Sequence, residues 1–267
     1  MSAESSRPAT AGEYDEGMQA LLQIVWGEGF LSPGGAAEVA CILEGTDIRG
    51  RRVLDIGSGL GAVDVLLARE HGAARVVGID VEPSLVRQAR ARAARERLAD
   101  RLEFLVVTPG PLPFAGASFD VVFSKDALVQ IPDKPALFAQ VRRVLAPGGV
   151  FVASDWLCGE GGADSPAIRE FIRLEGITYN LASASQSVAA LGSAGFRDIE
   201  VRDRNAWYSD LAQREVRAMK GEWQALIEER LGPERARHFV ADWEQLQVVL
   251  ASGELRPTHL KACVPAG

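Results

Sequence analysis

A doubly wound, Rossmann-like α/β fold is the architecture this sequence predicts, on three observations. From Arg52 to Asp155 short apolar runs alternate with amphipathic segments, the pattern of strands and crossover helices in a parallel sheet. Val53-Leu54-Asp55-Ile56 leads directly into Gly57-Ser58-Gly59-Leu60-Gly61, a buried strand entering a turn with glycine at alternate positions. After one helical stretch, Arg75-Val76-Val77-Gly78-Ile79 forms a second apolar run that ends in Asp80.

In chain order, residues 1–12 are small and polar and read as a disordered lead-in, with one domain over 13–267. Tyr14 to Gly27 and Gly34 to Leu43 have helical periodicity and flank Phe30-Leu31-Ser32-Pro33. They precede the first strand, so 13–45 is expected to fold across the binding cleft as a lid. Strands are expected at 52–56, 75–80, 102–107, 119–124 and 150–155, with helices at 63–70, 82–97 and 134–145. Pro147-Gly148-Gly149 closes the last of these helices. Residues 195–202 supply a sixth strand and 255–264 a seventh. The intervening stretch, about 204–254, is too long for a simple connection and carries Trp207, Tyr208, Trp223 and Trp243. It is expected to be a helical cap over the carboxyl ends of the strands, where open parallel sheets bind ligands.

Composition narrows the classes of function. The chain has 267 residues, 47% of them hydrophobic and 24% charged, and a formal net charge of -7, without the basic face that phosphate backbones require. Nucleic acid is therefore not an expected partner, and Arg87, Arg90, Arg92, Arg95 and Arg97 read as a solvated helix face. No apolar run is long enough to span a bilayer, and no signal peptide is evident, so a cytoplasmic protein, monomer or homodimer, is expected. Cys41, Cys158 and Cys263 are too few and too scattered for a disulfide framework or a zinc site, and no metal is expected.

The glycine turn reads as a cofactor site, because small residues let backbone approach a ligand closely. A loop built for a pyrophosphate aims bare amides at it, whereas Asp55 just before the glycines suits a cation. That points to S-adenosylmethionine, with Gly57, Ser58 and Gly59 in the turn. Asp80, with Val81 behind it, accepts the ribose hydroxyls. A dinucleotide oxidoreductase is the reading Asp55 makes poor.

VLDIGSGLG at 53–61, GID at 78–80, LPF at 112–114, SFDVVFS at 118–124 and LAPGG at 145–149 together resemble the class I S-adenosylmethionine-dependent methyltransferases. That resemblance implies seven strands with the last antiparallel. YDEG at 14–17, WGEGFLSPGG at 26–35, SKDALVQIPDK at 124–134 and SDW at 154–156 are similar to the phosphoethanolamine N-methyltransferase group. By that similarity Tyr14, Leu31 and Ser32 cover the cofactor, Tyr14 belongs to a lid that orders on binding, and Asp126 lines the pocket. Two departures stand out. Gln130 occupies the place of a histidine that pairs with the lid tyrosine, and a glutamine cannot carry a proton. Phe171, Glu175 and Ile177 stand where the group holds its phosphate, and an acid there argues against a phosphate monoester. Where many relatives set an Asp against the adenine amino group, this chain has Thr108, which can still accept a hydrogen bond, and Pro109, which removes an amide donor.

Methyl transfer from a sulfonium needs binding, alignment and exclusion of water more than a dedicated base. An attacking amine must still lose its proton, with Tyr14, Asp155, Glu175 or water to assist. Tyr14 and Gln130 are thus the catalytic candidates, and Gln130, Trp156, Glu175, Tyr179, Trp207 and Tyr208 the acceptor-side ones. Aromatic faces with a carboxylate suit an ammonium, which favours a small amine as the acceptor. Trp223 and Trp243 are assigned to helix packing, and His71, His238 and His259 to structural or exposed positions. Transfer to oxygen or carbon of a natural-product intermediate stays open, as does a non-catalytic cofactor-binding partner protein.

Overall fold

The computed structural model describes residues 14–266. The expected lead-in, 1–12, lies outside the described residues, as do residues 13 and 267. Seven strands form one sheet in the order β3-β2-β1-β4-β5-β7-β6. They are β1 (Arg52–Ile56), β2 (Arg75–Asp80), β3 (Leu102–Val106), β4 (Phe119–Lys125), β5 (Leu145–Cys158), β6 (Arg197–Asp203) and β7 (Leu255–Cys263). The first five run parallel, and β7 inserts antiparallel between β5 and β6.

Helices cover both faces, which is why the central strands read as unbroken apolar runs. Alternate residues feed the two cores. Leu54, Val77, Val122 and Phe151 pack under α5 (Lys134–Val144) and α7 (Ala184–Ser193). Val53, Val76, Val121 and Phe123 pack under α2 (Gly35–Ile42), α3 (Ala62–Arg69) and α4 (Pro83–Arg95).

Two features depart from the sequence reading. First, α5 stops at Val144 and Leu145 already pairs with Phe119, while the register shifts before Val150 meets Val121. Pro147-Gly148-Gly149 is therefore a bulge within β5 as well as a helix stop. Gly148 sits at φ +72°, and a Cβ on Gly149 would stand 2.8 Å from the Ala146 carbonyl oxygen. Pairing with β7 then carries β5 past Asp155 to Cys158. Second, the stretch after β5 holds two helices that the reading left unassigned, α6 (Pro166–Glu175) and α7. Their local signals are present: Ser165 caps α6 with Pro166 at its first position, and Ser183 and Gln186 close a capping box on α7.

Between β6 and β7 the chain forms α8 (Asn205–Met219), α9 (Gln224–Leu231) and α10 (Pro233–Ala251). With α1 (Glu16–Trp26) and α6 they bury two further clusters. One of these includes Val129 and Trp156, at the carboxyl ends of β4 and β5, so this helical layer sits above those strand ends.

Candidate active site

The carboxyl ends of β1 and β2 form the first part of the site. Gly57, Gly59 and Gly61 all have positive φ. A Cβ on Gly57 would overlap that of Ala127, and one on Gly59 would lie 3.3 Å from Leu31 Cδ1, so Leu31 does lie across the turn. Gly57 and Ser58 donate to the Ile79 carbonyl, which fixes the turn against β2. The Gly59 amide donates to Asp80 Oδ2 and the Glu82 amide to Oδ1, each at 2.9 Å. Burial raises the Asp80 pKa against those donors. Beside Asp80, Val81 is half exposed, an apolar face at the lip of the crevice. Thr108 and Pro109 follow β3 and are exposed.

Asp55 stands deeper than the sequence reading has it. It is 2% exposed, and its carboxyl faces Asp64 of α3, which is fully buried. Burial raises Asp55 to about 7, offset by a hydrogen bond from Asp64, and burial beside Asp55 pushes Asp64 well above the carboxylate range. Of the two, Asp64 is pushed further toward the neutral acid, with Asp55 beside it. A Cβ on Gly78 would come within 2.7 Å of Asp64 Oδ1 and of Ser58 Cβ, so Gly78 makes room for this pair beneath the turn. The charge of Asp55 therefore acts from under the glycine turn, with almost no surface of its own for a ligand to touch.

The end of β4 is the second part. Lys125 and Asp126 form a buried ion pair at 2.9 Å, their side chains 3% and 2% exposed. Lys125 Nζ also donates to Ser32 Oγ and the Pro33 carbonyl, both at 2.7 Å, so all three of its N–H bonds are used and the 31–34 loop is tied to the strand end. Asp126, at φ +55°, accepts in addition from Ser154 Oγ at 2.8 Å and from the Tyr208 hydroxyl at 3.3 Å. Asp155 Oδ1 accepts the Val129 amide, and Lys134 Nζ donates to the carbonyls of Leu128, Ile131 and Asn180. These two groups clamp the turn that carries Gln130, whose carbonyl accepts from Asn180 Nδ2. Asp155 is raised to about 7 by burial, partly countered by Lys134.

A cavity opens beside this strand end. Its wall includes Tyr14, Leu31, Ser32, Asp126, Trp156, Glu175 and Tyr179, so seven of the candidate cofactor and acceptor residues meet there, together with Phe171 and Ile177. Leu22, Trp26, Pro33, Val129, Trp243 and Leu246 complete it. Tyr14 also borders an open cleft between α1 and α4, lined by Gln19, Ser84, Arg87 and Gln88.

Three acceptor-side candidates lie off this wall. Gln130 sits on the clamped turn. Trp207 packs edge-on against Tyr208, with the Arg204 guanidinium 4.6 Å from its ring centroid. Tyr208 stands behind Trp156, ring centroids 5.1 Å apart, and reaches the site through Asp126.

Other residues enter unannounced. Trp243, assigned to packing, lines the cavity as well, and its indole N–H and that of Trp26 donate to the two oxygens of buried Glu215, at 2.9 and 2.8 Å. Burial lifts Glu215 to about 7 despite both bonds. Asp242 of α10, 1% exposed, faces Glu175. Burial, with Glu175 beside it, pushes Asp242 well above the carboxylate range, and burial raises Glu175 as well. Nothing local in the sequence marks Asp242 or Glu215, because both sit on ordinary helix faces. Lys125, next to Asp126 in SKDAL, was the one legible addition.

Comparison with known proteins sets this geometry in a family. A family model described as a methyltransferase domain matches residues 48–219. The chain belongs to that methyltransferase-domain family. It is 30% identical over 233 residues to a phosphoethanolamine N-methyltransferase of Triticum aestivum, covering 87% of this chain and 45% of that protein. The methyltransferase chain thus spans less than half the length of that relative. It is 36% identical over 174 residues to the erythromycin 3''-O-methyltransferase of Saccharopolyspora erythraea, covering 62% of this chain and 55% of the other. Among solved structures, phosphoethanolamine N-methyltransferase 2 of Haemonchus contortus, in complex with phosphomonomethylethanolamine and S-adenosylhomocysteine, superposes with a TM-score of 0.86. That match has 25% identity and covers 94% of this chain and 59% of the other.

Proposed function

We propose that this protein transfers a methyl group from S-adenosylmethionine to the nitrogen of a small amine. The observation that carries the reading is the continuity of two environments. A glycine crevice closed by Leu31 and an acid at the end of β2 adjoins a cavity of aromatic rings and carboxyls through Leu31. On the cofactor side Gly57, Ser58 and Gly59 supply close backbone, Asp80 accepts from the ribose, and Val81, Thr108 and Pro109 border the adenine. Leu31 and Ser32 close over the crevice. Asp55 contributes negative potential from below, and Asp126 from the cavity side, toward a cationic donor.

When bound, S-adenosylmethionine supplies an electrophilic methyl on a positively charged sulfur. The chain's own work is alignment and dryness. Lys125 fixes the 31–34 loop over the crevice, and Tyr14 stands where cleft and cavity meet, placed to accept a hydrogen bond from the amine. Trp156 and Tyr179 offer ring faces to an ammonium, while Asp126 and Glu175 offer charge. The proton that the amine sheds before attack has Tyr14, Glu175 or water to receive it.

Calorimetric titration with S-adenosylhomocysteine and a radiolabelled-methyl screen test this reading. Binding together with turnover of amines is the expected result, and absence of S-adenosylhomocysteine binding removes it. The similarity to an O-methyltransferase favours an oxygen acceptor as the second reading. Turnover of alcohols or phenols, with amines inert, would establish that one.

A further inference from the structure

The cavity wall carries six aromatic rings and two carboxyls, Asp126 and Glu175. No lysine, arginine or histidine among the described residues lines it. Lys125, beside Asp126, has all three N–H bonds committed to Ser32, Pro33 and Asp126 and is not available to a ligand anion. Lys134 is spent in the same way on three carbonyls.

Glu175 adds a second argument. It is the last residue of α6, at the helix end where the dipole disfavours an anion. It lines an aromatic cavity, and its carboxyl stands near Asp242, neither of whose buried oxygens has a hydrogen-bond partner. A buried pair of carboxyls, one of them at the carboxyl end of a helix, weakens the fold. A cation seated against them relieves that cost, whereas an anion compounds it.

Resting on the N-methyltransferase reading above, we infer that the methyl acceptor carries no anionic group: it is a small amine with a neutral or cationic tail, held as an ammonium between rings and carboxyls. A phosphate or carboxylate tail would be desolvated with no cation among the described wall residues to pair with it, facing Glu175 and an Asp126 whose charge Lys125 already balances. The substrate class therefore differs in charge from the phosphomonomethylethanolamine bound by the Haemonchus contortus enzyme.

The test uses the 267-residue chain with S-adenosylhomocysteine bound. N-methylethanolamine, N,N-dimethylethanolamine, putrescine, phosphomonomethylethanolamine and sarcosine are titrated against tryptophan fluorescence, since Trp26, Trp156 and Trp243 line the wall. The same five compounds are assayed with labelled methyl donor. The expected result is a kcat/KM for at least one amine without an anionic group that exceeds those of phosphomonomethylethanolamine and sarcosine by tenfold or more. A preference for either anionic compound overturns the inference and leaves N-methylation standing. Inertness of all five while S-adenosylhomocysteine binds overturns the inference and the amine reading together. Glu175→Gln is expected to weaken amine binding at least tenfold and to narrow the discrimination. Asp242→Asn, which keeps a neutral polar group beside Glu175, guards against misfolding and should retain it. Unchanged discrimination in Glu175→Gln would remove Glu175 from the account.

Discussion

At Gly57 the backbone has φ +82° and a side chain would overlap Ala127, so this position admits only hydrogen. Gly57→Ala is expected to lower S-adenosylhomocysteine affinity more than tenfold by calorimetry, and to cost about 1–2 kcal/mol for the left-handed backbone alone, read in urea unfolding. The neighbouring acid pair gives a contrasting case. Because burial pushes Asp64 well toward its neutral form, an amide is a close replacement, and Asp64→Asn should keep S-adenosylhomocysteine affinity within about twofold, on the order of 0.4 kcal/mol. Asp55→Asn removes the charge beneath the turn and should weaken binding distinctly more. Equal effects of the two amides would show that Asp55 exerts no field on the crevice.

Elements are joined at this site by a few buried charges. Glu38 of α2, 1% exposed, receives a two-pronged contact from Arg204 at the start of α8, at 2.6 and 3.1 Å, and another from His259 of β7 at 2.7 Å. Burial opposes its ionisation, but these two partners outweigh burial and hold its pKa below the usual value. One carboxylate therefore fastens a helix of the 13–45 segment to the 204–254 segment and to the sheet. Glu38→Ala leaves Arg204 and His259 facing an empty site, and a loss of about 3–5 kcal/mol in unfolding free energy is expected. Lys125 makes the corresponding tie for the 31–34 loop. Lys125→Met should raise the KM for S-adenosylmethionine at least fivefold, a loss on the order of 1 kcal/mol, by releasing that loop. The helix periods and the glycines were legible in the sequence, but these ties were not. They join residues up to 221 positions apart, and no local pattern records such a pairing.

Across the whole molecule, burial lifts Asp55, Asp155 and Glu215 to about 7. Between the ordinary carboxylate value and about 7, the folded chain retains protons at these groups that the unfolded chain has lost. Folding is then accompanied by proton uptake, so stability from these groups is greatest on the acid side of the window and falls as pH rises toward 7. Urea unfolding should give a higher free energy at pH 5.5 than at pH 8, with Glu215 contributing on the order of 2 kcal/mol. Glu215→Gln, which cannot ionise, should flatten the slope while retaining one acceptor for an indole. A stability that rises between those two pH values would contradict the burial of these acids.

The sequence by itself determined the sheet, since strands buried on both faces must be continuous apolar runs, and it determined the glycine crevice, since positive φ and close approach select glycine at Gly57, Gly59 and Gly61. It also named seven of the cavity's residues as cofactor or acceptor candidates, through short stretches that keep their neighbours. Only the tertiary structure decided that Asp55 lies under the turn beside Asp64, that Asp242 backs Glu175, and that Trp26 and Trp243 share Glu215. Burial and charge pairing are set by residues distant in the chain, so the protonation states at this site belong to the folded assembly of elements and to no single segment.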